Sequence, residues 1–122
     1  MKFVKCEVCG KIVAVVQDSA CPTKCCGEPM KEIVPNTTDA SKEKHVPEYK
    51  VENGVVHVVV GSVEHPMLDN HYIEWILLET NLGNQRKALK PGQKPAADFA
   101  LLPGEEVKAV YAYCNLHSLF KA

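Results

Sequence analysis

The chain has 122 residues, 46% apolar and 24% charged, with a formal net charge of −1. That length suffices for one ordinary domain, or for a small domain joined to a mini-domain held by something other than a core. The mixed charge excludes the basic stripe of a nucleic-acid binder, and the apolar stretches are far too short to span a bilayer.

The amino terminus, "MKFVKCEVCG", lacks the apolar core of a secretory signal, so a cytoplasmic location is expected. In such a reducing compartment, six cysteines are better read as metal ligands or redox groups than as structural disulfides. Five of them fall within residues 6 to 26, and the sixth is Cys114. Residues 1 to 34 form a cysteine-rich segment with one short apolar run, "KIVAVV", and too few apolar residues to fold unaided. Cys6-Glu-Val-Cys9 followed by Gly10 has the spacing of a metal knuckle. After fifteen intervening residues comes the adjacent pair Cys25-Cys26, which reaches one ion only with opened ligand angles. A vicinal bridge between those two would be strained. Cys21-x-x-x-Cys25 is also an acceptable ligand spacing, and an all-sulfur tetrahedral site suits zinc and iron equally.

"PNTTDASKEK" is polar and aperiodic, a linker or irregular loop, and runs into "EKHVPEY", where Pro47 argues against helix and for loop or extended chain. From residue 49 the texture becomes β-type. "YKVENGVVHVVVG" carries Asn53-Gly54 between two strand runs, a hairpin signal. "HYIEWILLET", "NQRKALK", "ADFALL" and "VKAVYAYC" follow, the last two set off by "PGQKP" and "PGEE", and the set predicts an antiparallel sandwich. A helix over "EWILLETNLGNQRKAL" is disfavoured by Gly83-Asn84.

Of the five histidines, His57 lies inside a strand run and shares a face with Val55 and Val59, which marks it as a strand residue rather than a ligand. His45, His65, His71 and His117 sit beside loop signals, His65 before Pro66 and His71 after Asp69-Asn70. "YCNLH" places Cys114 and His117 three apart just after a strand. Taken singly, each histidine reads as exposed or hydrogen-bonded. Taken together, four nitrogens and one sulfur could serve one redox-active ion, and the residues alone weigh that evenly against scattered histidines around a buried Cys114.

In order along the chain, "CEVCG…CCGEPMK", "KEKHVP", "GSVEHPM…NHYIEWI" and "YCNLH" resemble the desulfoferrodoxins, the two-iron superoxide reductases. The resemblance implies a mainly β protein in two parts. Residues 1–36 would be a desulforedoxin-like domain with iron on Cys6, Cys9, Cys25 and Cys26, a site that recombinant protein can fill with zinc. Residues 37–122 would be an immunoglobulin-like seven-stranded antiparallel β-sandwich carrying the catalytic iron. There His45, His65, His71 and His117 would be equatorial ligands, the last through Nδ and the others through Nε, with Cys114 axial and the sixth position open. Cys21 matches no ligand position of that pattern.

The implied activity is one-electron reduction of superoxide to hydrogen peroxide at a ferrous non-haem centre, with no dioxygen produced. A small electron donor such as rubredoxin and a homodimer are further implications. Beside His45, Lys44 would steer the anion and organise the water that supplies protons. Glu43 would close the sixth position in the ferric state only, a hard oxygen donor suiting Fe(III) better than Fe(II). Amides after Cys114 are expected to bond its sulfur.

Overall fold

A computed structural model describes all 122 residues. Its contacts divide the chain into two compact units, Met1–Val34 and Pro35–Ala122. No helix is long and apolar enough to cross a membrane.

The first unit is a set of short strands: β1 (Lys2–Lys5), β2 (Ile12–Val15), β3 (Lys24–Cys25), β4 (Glu28–Pro29) and β5 (Lys31–Glu32). β1 is the centre of a three-stranded antiparallel sheet between β2 and β5, and β3 pairs with β4 alone. Phe3, Val4 and Cys6 are its buried apolar residues, a core too small to hold 34 residues without help. Two turns display the cysteines. After β1 the chain folds back so that Cys6 C=O accepts from Gly10 N–H at 2.9 Å, with Gly10 at φ +81°. Between β3 and β4, Cys26 and Gly27 both have positive φ, +53° and +77°, the signature of a type I′ hairpin turn. Cys25 is therefore the last strand residue and Cys26 the first turn residue, which is how adjacent side chains come to converge.

The second unit begins with a single helical turn, α1 (Lys42–His45), followed by β6 (Pro47–Glu52), β7 (Val55–Val60), β8 (Ile73–Thr80), β9 (Gly83–Ala88), β10 (Ala96–Ala100), β11 (Val107–Cys114) and β12 (Ser118–Lys121). These seven strands form two antiparallel sheets, β10-β7-β6 and β12-β11-β8-β9. The β6–β7 hairpin turns at Asn53 and Gly54, both at positive φ, as the Asn-Gly pair predicts. β8 and β9 pair without interruption from Trp75↔Ala88 to Thr80↔Gly83, so the stretch is a hairpin and the helical alternative is excluded.

The inner faces of the two sheets meet in a core of Val56, Val58 and Val60 from β7, Ile73, Ile76 and Leu78 from β8, Phe99 from β10, and Val110, Ala112 and Cys114 from β11. Each fully buried aliphatic or aromatic member contributes about 1.5–3 kcal/mol of burial free energy. Ile73 and Ile76 differ in parity yet both point inward. A register shift explains this: Tyr113 pairs with Trp75 but Cys114 pairs with Ile73, leaving Glu74 as an extra residue in β8.

The stretch around Glu43 departs from the sequence expectation of loop or extended chain, since Lys42–His45 closes one helical turn with Val46 N–H donating to Lys42 C=O at 2.9 Å. Proline disfavours helical backbone at the residue before it and cannot continue a helix, but it does not prevent a turn that ends earlier. Val46 is indeed extended (φ −72°, ψ 122°), and the turn finishes just short of it.

Candidate metal centres

In the first unit, the ligand atoms of Cys6, Cys9, Cys25 and Cys26 all lie within 4.8 Å of one another. Cys9 Sγ is 3.6 Å from Cys25 Sγ, which is 3.9 Å from Cys26 Sγ. A tetrahedral ion with metal–sulfur bonds of about 2.3 Å sets its sulfurs about 3.8 Å apart, whereas a disulfide needs about 2.05 Å. The thiols are held at a metal's spacing, and all six cysteines are free. The Cys9 amide, 3.5 Å from Cys6 Sγ, leads in drawing the Cys6 thiol down to about 7. Hydrogen bonding to Cys6 and Cys9 then pushes Cys25 up to about 12. The crowding of the thiols thus favours ionisation of Cys6 and opposes it at Cys25. Cys21 stands apart from the four, exposed, with its N–H on Ser19 Oγ at 3.3 Å.

The second unit brings together the four loop histidines and Cys114. Ligand atoms of His45, His65, His71 and Cys114 lie within 4.8 Å of one another, and His117 Nδ1 is 3.0 Å from His45 Nε2 and 3.8 Å from Cys114 Sγ. Ring centroids run His45–His65 4.6 Å, His65–His71 4.8 Å, His71–His117 5.3 Å and His117–His45 4.8 Å, while His45–His71 across the set is 6.3 Å. The imidazoles thus form a four-cornered ring.

Each corner is set by local structure. His45 ends α1, where its Nδ1–H donates to Ser41 C=O at 2.6 Å and its ring lies 4.7 Å from that of Phe120. His65 donates Nδ1–H to Pro66 C=O at 2.7 Å. These carbonyls fix the tautomers, leaving Nε2 of each ring as an inward acceptor: that of His45 meets His117 Nδ1 at 3.0 Å, and that of His65 has no partner. His71 sits in a one-bridge turn with Leu68, just before β8. Cys114 and His117 belong to the hairpin between β11 and β12, closed by the Cys114↔Ser118 pair with Ser118 at φ +68°. That loop turns the amides of Leu116 and His117 onto the Cys114 sulfur.

The electrostatics favour neutral rings around an unusual sulfur. Burial, with the neighbouring histidines, lowers His65 to about 4 and also lowers His45; burial followed by His117 and Lys44 lowers His71. Lys44 also contributes to the lowering at His45. Burial raises the Cys114 thiol against the pull of its two amide donors. His65 Nε2 and His71 Nε2 are buried with no hydrogen-bond partner. Two orphaned imidazole nitrogens cost on the order of 1–3 kcal/mol each unless something binds them, and a metal ion is what neutral imidazoles bind.

Two sequence candidates lie at the surface, and His57, set aside in the sequence, stands away from the site. Glu43 is exposed on α1, its carboxylate accepting from Ser41 Oγ at 3.3 Å, and Lys44 is exposed beside it. His57 lies on the outward face of β7 with Nδ1 2.7 Å from Asp98 Oδ1. The sequence reading missed Gly61. At φ +88°, it packs so closely that a Cβ there would lie 2.8 Å from the carbonyl oxygens of both Glu43 and Lys44. A lone glycine ending a valine run was the available signal.

Residues 37–122 match the family described as Desulfoferrodoxin, and residues 1–33 match Desulfoferrodoxin, N-terminal domain. The chain belongs to the desulfoferrodoxin family. Among its relatives, a "Desulfoferrodoxin homolog" of Archaeoglobus fulgidus is 48% identical over 122 residues, covering 100% of this chain and 96% of that one. The crystal structure of the superoxide reductase from Treponema pallidum is similar at TM-score 0.82 and 34% identity, covering 98% of each chain. A superoxide reductase (1Fe-SOR) from Giardia intestinalis gives TM-score 0.56 and 37% identity, covering 66% of this chain and 96% of its own. Both donor sets fit the two irons of the desulfoferrodoxins: four thiols at tetrahedral spacing, and a nitrogen-rich set with bare, buried lone pairs beside one sulfur.

Proposed function

We propose that this chain is a superoxide reductase, converting superoxide, one electron and two protons into hydrogen peroxide without releasing dioxygen. The observation that carries the reading is the convergence of four imidazoles on Cys114 with two buried Nε2 atoms unbonded. His45, His65 and His71 through Nε2, His117 through Nδ1, and Cys114 through sulfur would hold one iron, leaving it a position for substrate. That iron supplies the one-electron ferrous/ferric couple.

The chain's own groups do the rest. Ser41 and Pro66 carbonyls hold two donor tautomers, and burial keeps the rings neutral at working pH. The Leu116 and His117 amides withdraw charge from the Cys114 sulfur and so set how strongly it donates. Lys44 adds a positive charge beside His45 and His71, drawing the anion in and ordering the water that delivers protons. Glu43, two residues before His45 in the same helical turn, would swing from Ser41 to close the substrate position in the oxidised state.

Residues 1–36 form the cysteine-iron domain on this reading and 37–122 the catalytic one, with the first iron on Cys6, Cys9, Cys25 and Cys26 able to relay or store electrons. Free thiols at metal spacing suit a reducing cytoplasm. A rubredoxin-type donor and a homodimer complete the proposal.

The test is stoichiometry. With an external reductant, the protein is expected to form one peroxide per superoxide consumed, with iron at both centres. Half that yield, with dioxygen evolved, would make it a dismutase and overturn the proposal.

A further inference from the structure

The four rings are not held alike. His45 and His65 are each aimed by a ring hydrogen bond to a carbonyl, and His117 rides in the short hairpin that also carries Cys114. The ring of His71 lacks such an anchor, its Nε2 being buried without a partner and its neighbours being the rings of His65 and His117, so its placement depends on the backbone that carries it. On one side that backbone is pinned by the bridge to Leu68, with N–H···O distances of 2.9 and 3.2 Å. On the other side it is pinned by Asn115 through three bonds. Tyr72 N–H donates to Asn115 Oδ1 at 2.9 Å, Asn115 Nδ2 donates to Asn70 C=O at 3.1 Å, and Asn115 N–H donates to Tyr72 C=O at 3.2 Å.

We propose that Asn115 is the positioning residue that aims His71 into the histidine–cysteine centre. Its side chain grips both neighbours of His71, while its own backbone follows directly on Cys114. One residue thereby sets the distance between a ring and the sulfur that come from different connections of the sandwich. The bulge at Glu74 lies just beyond, so the regular β8–β11 ladder does not supply that register. Replacing the side chain leaves the C=O of exposed Asn70 and the N–H of half-buried Tyr72 to find water, and the Asn115–Tyr72 backbone bond is independent of it. The fold therefore persists and the change falls on His71.

The inference rests on the assignment of His71 as a ligand, and the experiment separates the two. Iron affinity of the histidine–cysteine centre is measured by chelator competition on the full-length holoprotein. Asn115→Ala is expected to lower it about 10- to 100-fold, the usual effect of losing a residue that orients a ligand, with the four-cysteine centre unchanged. Asn115→Asp keeps the acceptor for Tyr72 N–H and is expected to restore most of the affinity. In a His71→Ala background, Asn115→Ala is expected to add nothing. In the metal-free protein, NMR of the His71 ring is expected to show one rotamer in the parent and averaging in Asn115→Ala. Parent-like affinity and a single rotamer in Asn115→Ala, or an undiminished effect without His71, overturns the proposal. A parent that binds no iron at this centre, with averaging still seen in Asn115→Ala, would sink the ligand assignment and leave the positioning role standing.

Discussion

Gly61→Ala tests how the site is held together. At φ +88° an alanine costs about 1–2 kcal/mol in backbone strain alone. Its Cβ would also lie 2.3 Å from Val63 O and 2.8 Å from both Glu43 O and Lys44 O, well inside the 3.4 Å at which ordinary contact begins. All three are backbone atoms, so no rotamer change relieves them. Val63 N–H and Ser62 Oγ both donate to Glu43 C=O, at 3.0 and 3.2 Å, and tie the same two segments together. Overpacking of this kind adds about 1–3 kcal/mol, for a total of about 2–5 kcal/mol. Retreat of α1 would relieve the two contacts with Glu43 O and Lys44 O, and it carries His45 away from the other rings. Urea unfolding followed by the single tryptophan, Trp75 in β8, reports the second unit. With a slope of roughly 1.5 kcal/mol/M, the midpoint is expected to fall by about 1–3 M. Iron should be lost from the histidine–cysteine centre and kept at the four-cysteine centre. A variant with the parental midpoint and full iron at both centres would show that Gly61 is not the constraint described.

Three further outcomes are expected. Lys44→Ala should slow the second-order reaction with superoxide several-fold and flatten its dependence on ionic strength; an unchanged rate and salt slope would remove the steering role. Glu43→Ala should retain turnover but alter the optical spectrum of the oxidised protein, and a spectrum matching the parent's would end the gating idea. The metal-free protein should lose stability as pH falls from about 6.5 toward about 4. His65 is pushed below its ordinary value, so within that window the unfolded chain binds a proton that the folded ring refuses, and His45 and His71 act in the same direction. Denaturation midpoints measured across that range should slope accordingly and level off above it; a flat profile would mean that the rings are not buried as described.

Much of this was legible in the chain. Asn53-Gly54 marked one hairpin because Asn and Gly readily take the positive φ that a tight two-residue turn requires, and the β-branched runs marked the strands. The helical turn at Lys42–His45 was not legible, because Pro47 does not prevent a turn that ends earlier and a four-residue turn leaves no periodicity to detect. The pairing of Cys25 with Cys26 on one ion was expected from the resemblance, but not the means, Cys26 taking a left-handed conformation that non-glycine residues seldom show.

By itself, the sequence determined which atoms are available: clustered thiols, four loop imidazoles, one late sulfur, and strands enough for a sandwich. Those are matters of residue type and local spacing, which one dimension records. Only the tertiary structure decided that His45, His65, His71, His117 and Cys114 share one point, that carbonyls of Ser41 and Pro66 turn two rings the right way, and that Gly61 and Asn115 hold the pieces together. These depend on distances between segments up to 72 residues apart, set by strand register and backbone approach. No local pattern encodes such distances, because they exist only once the two sheets have packed.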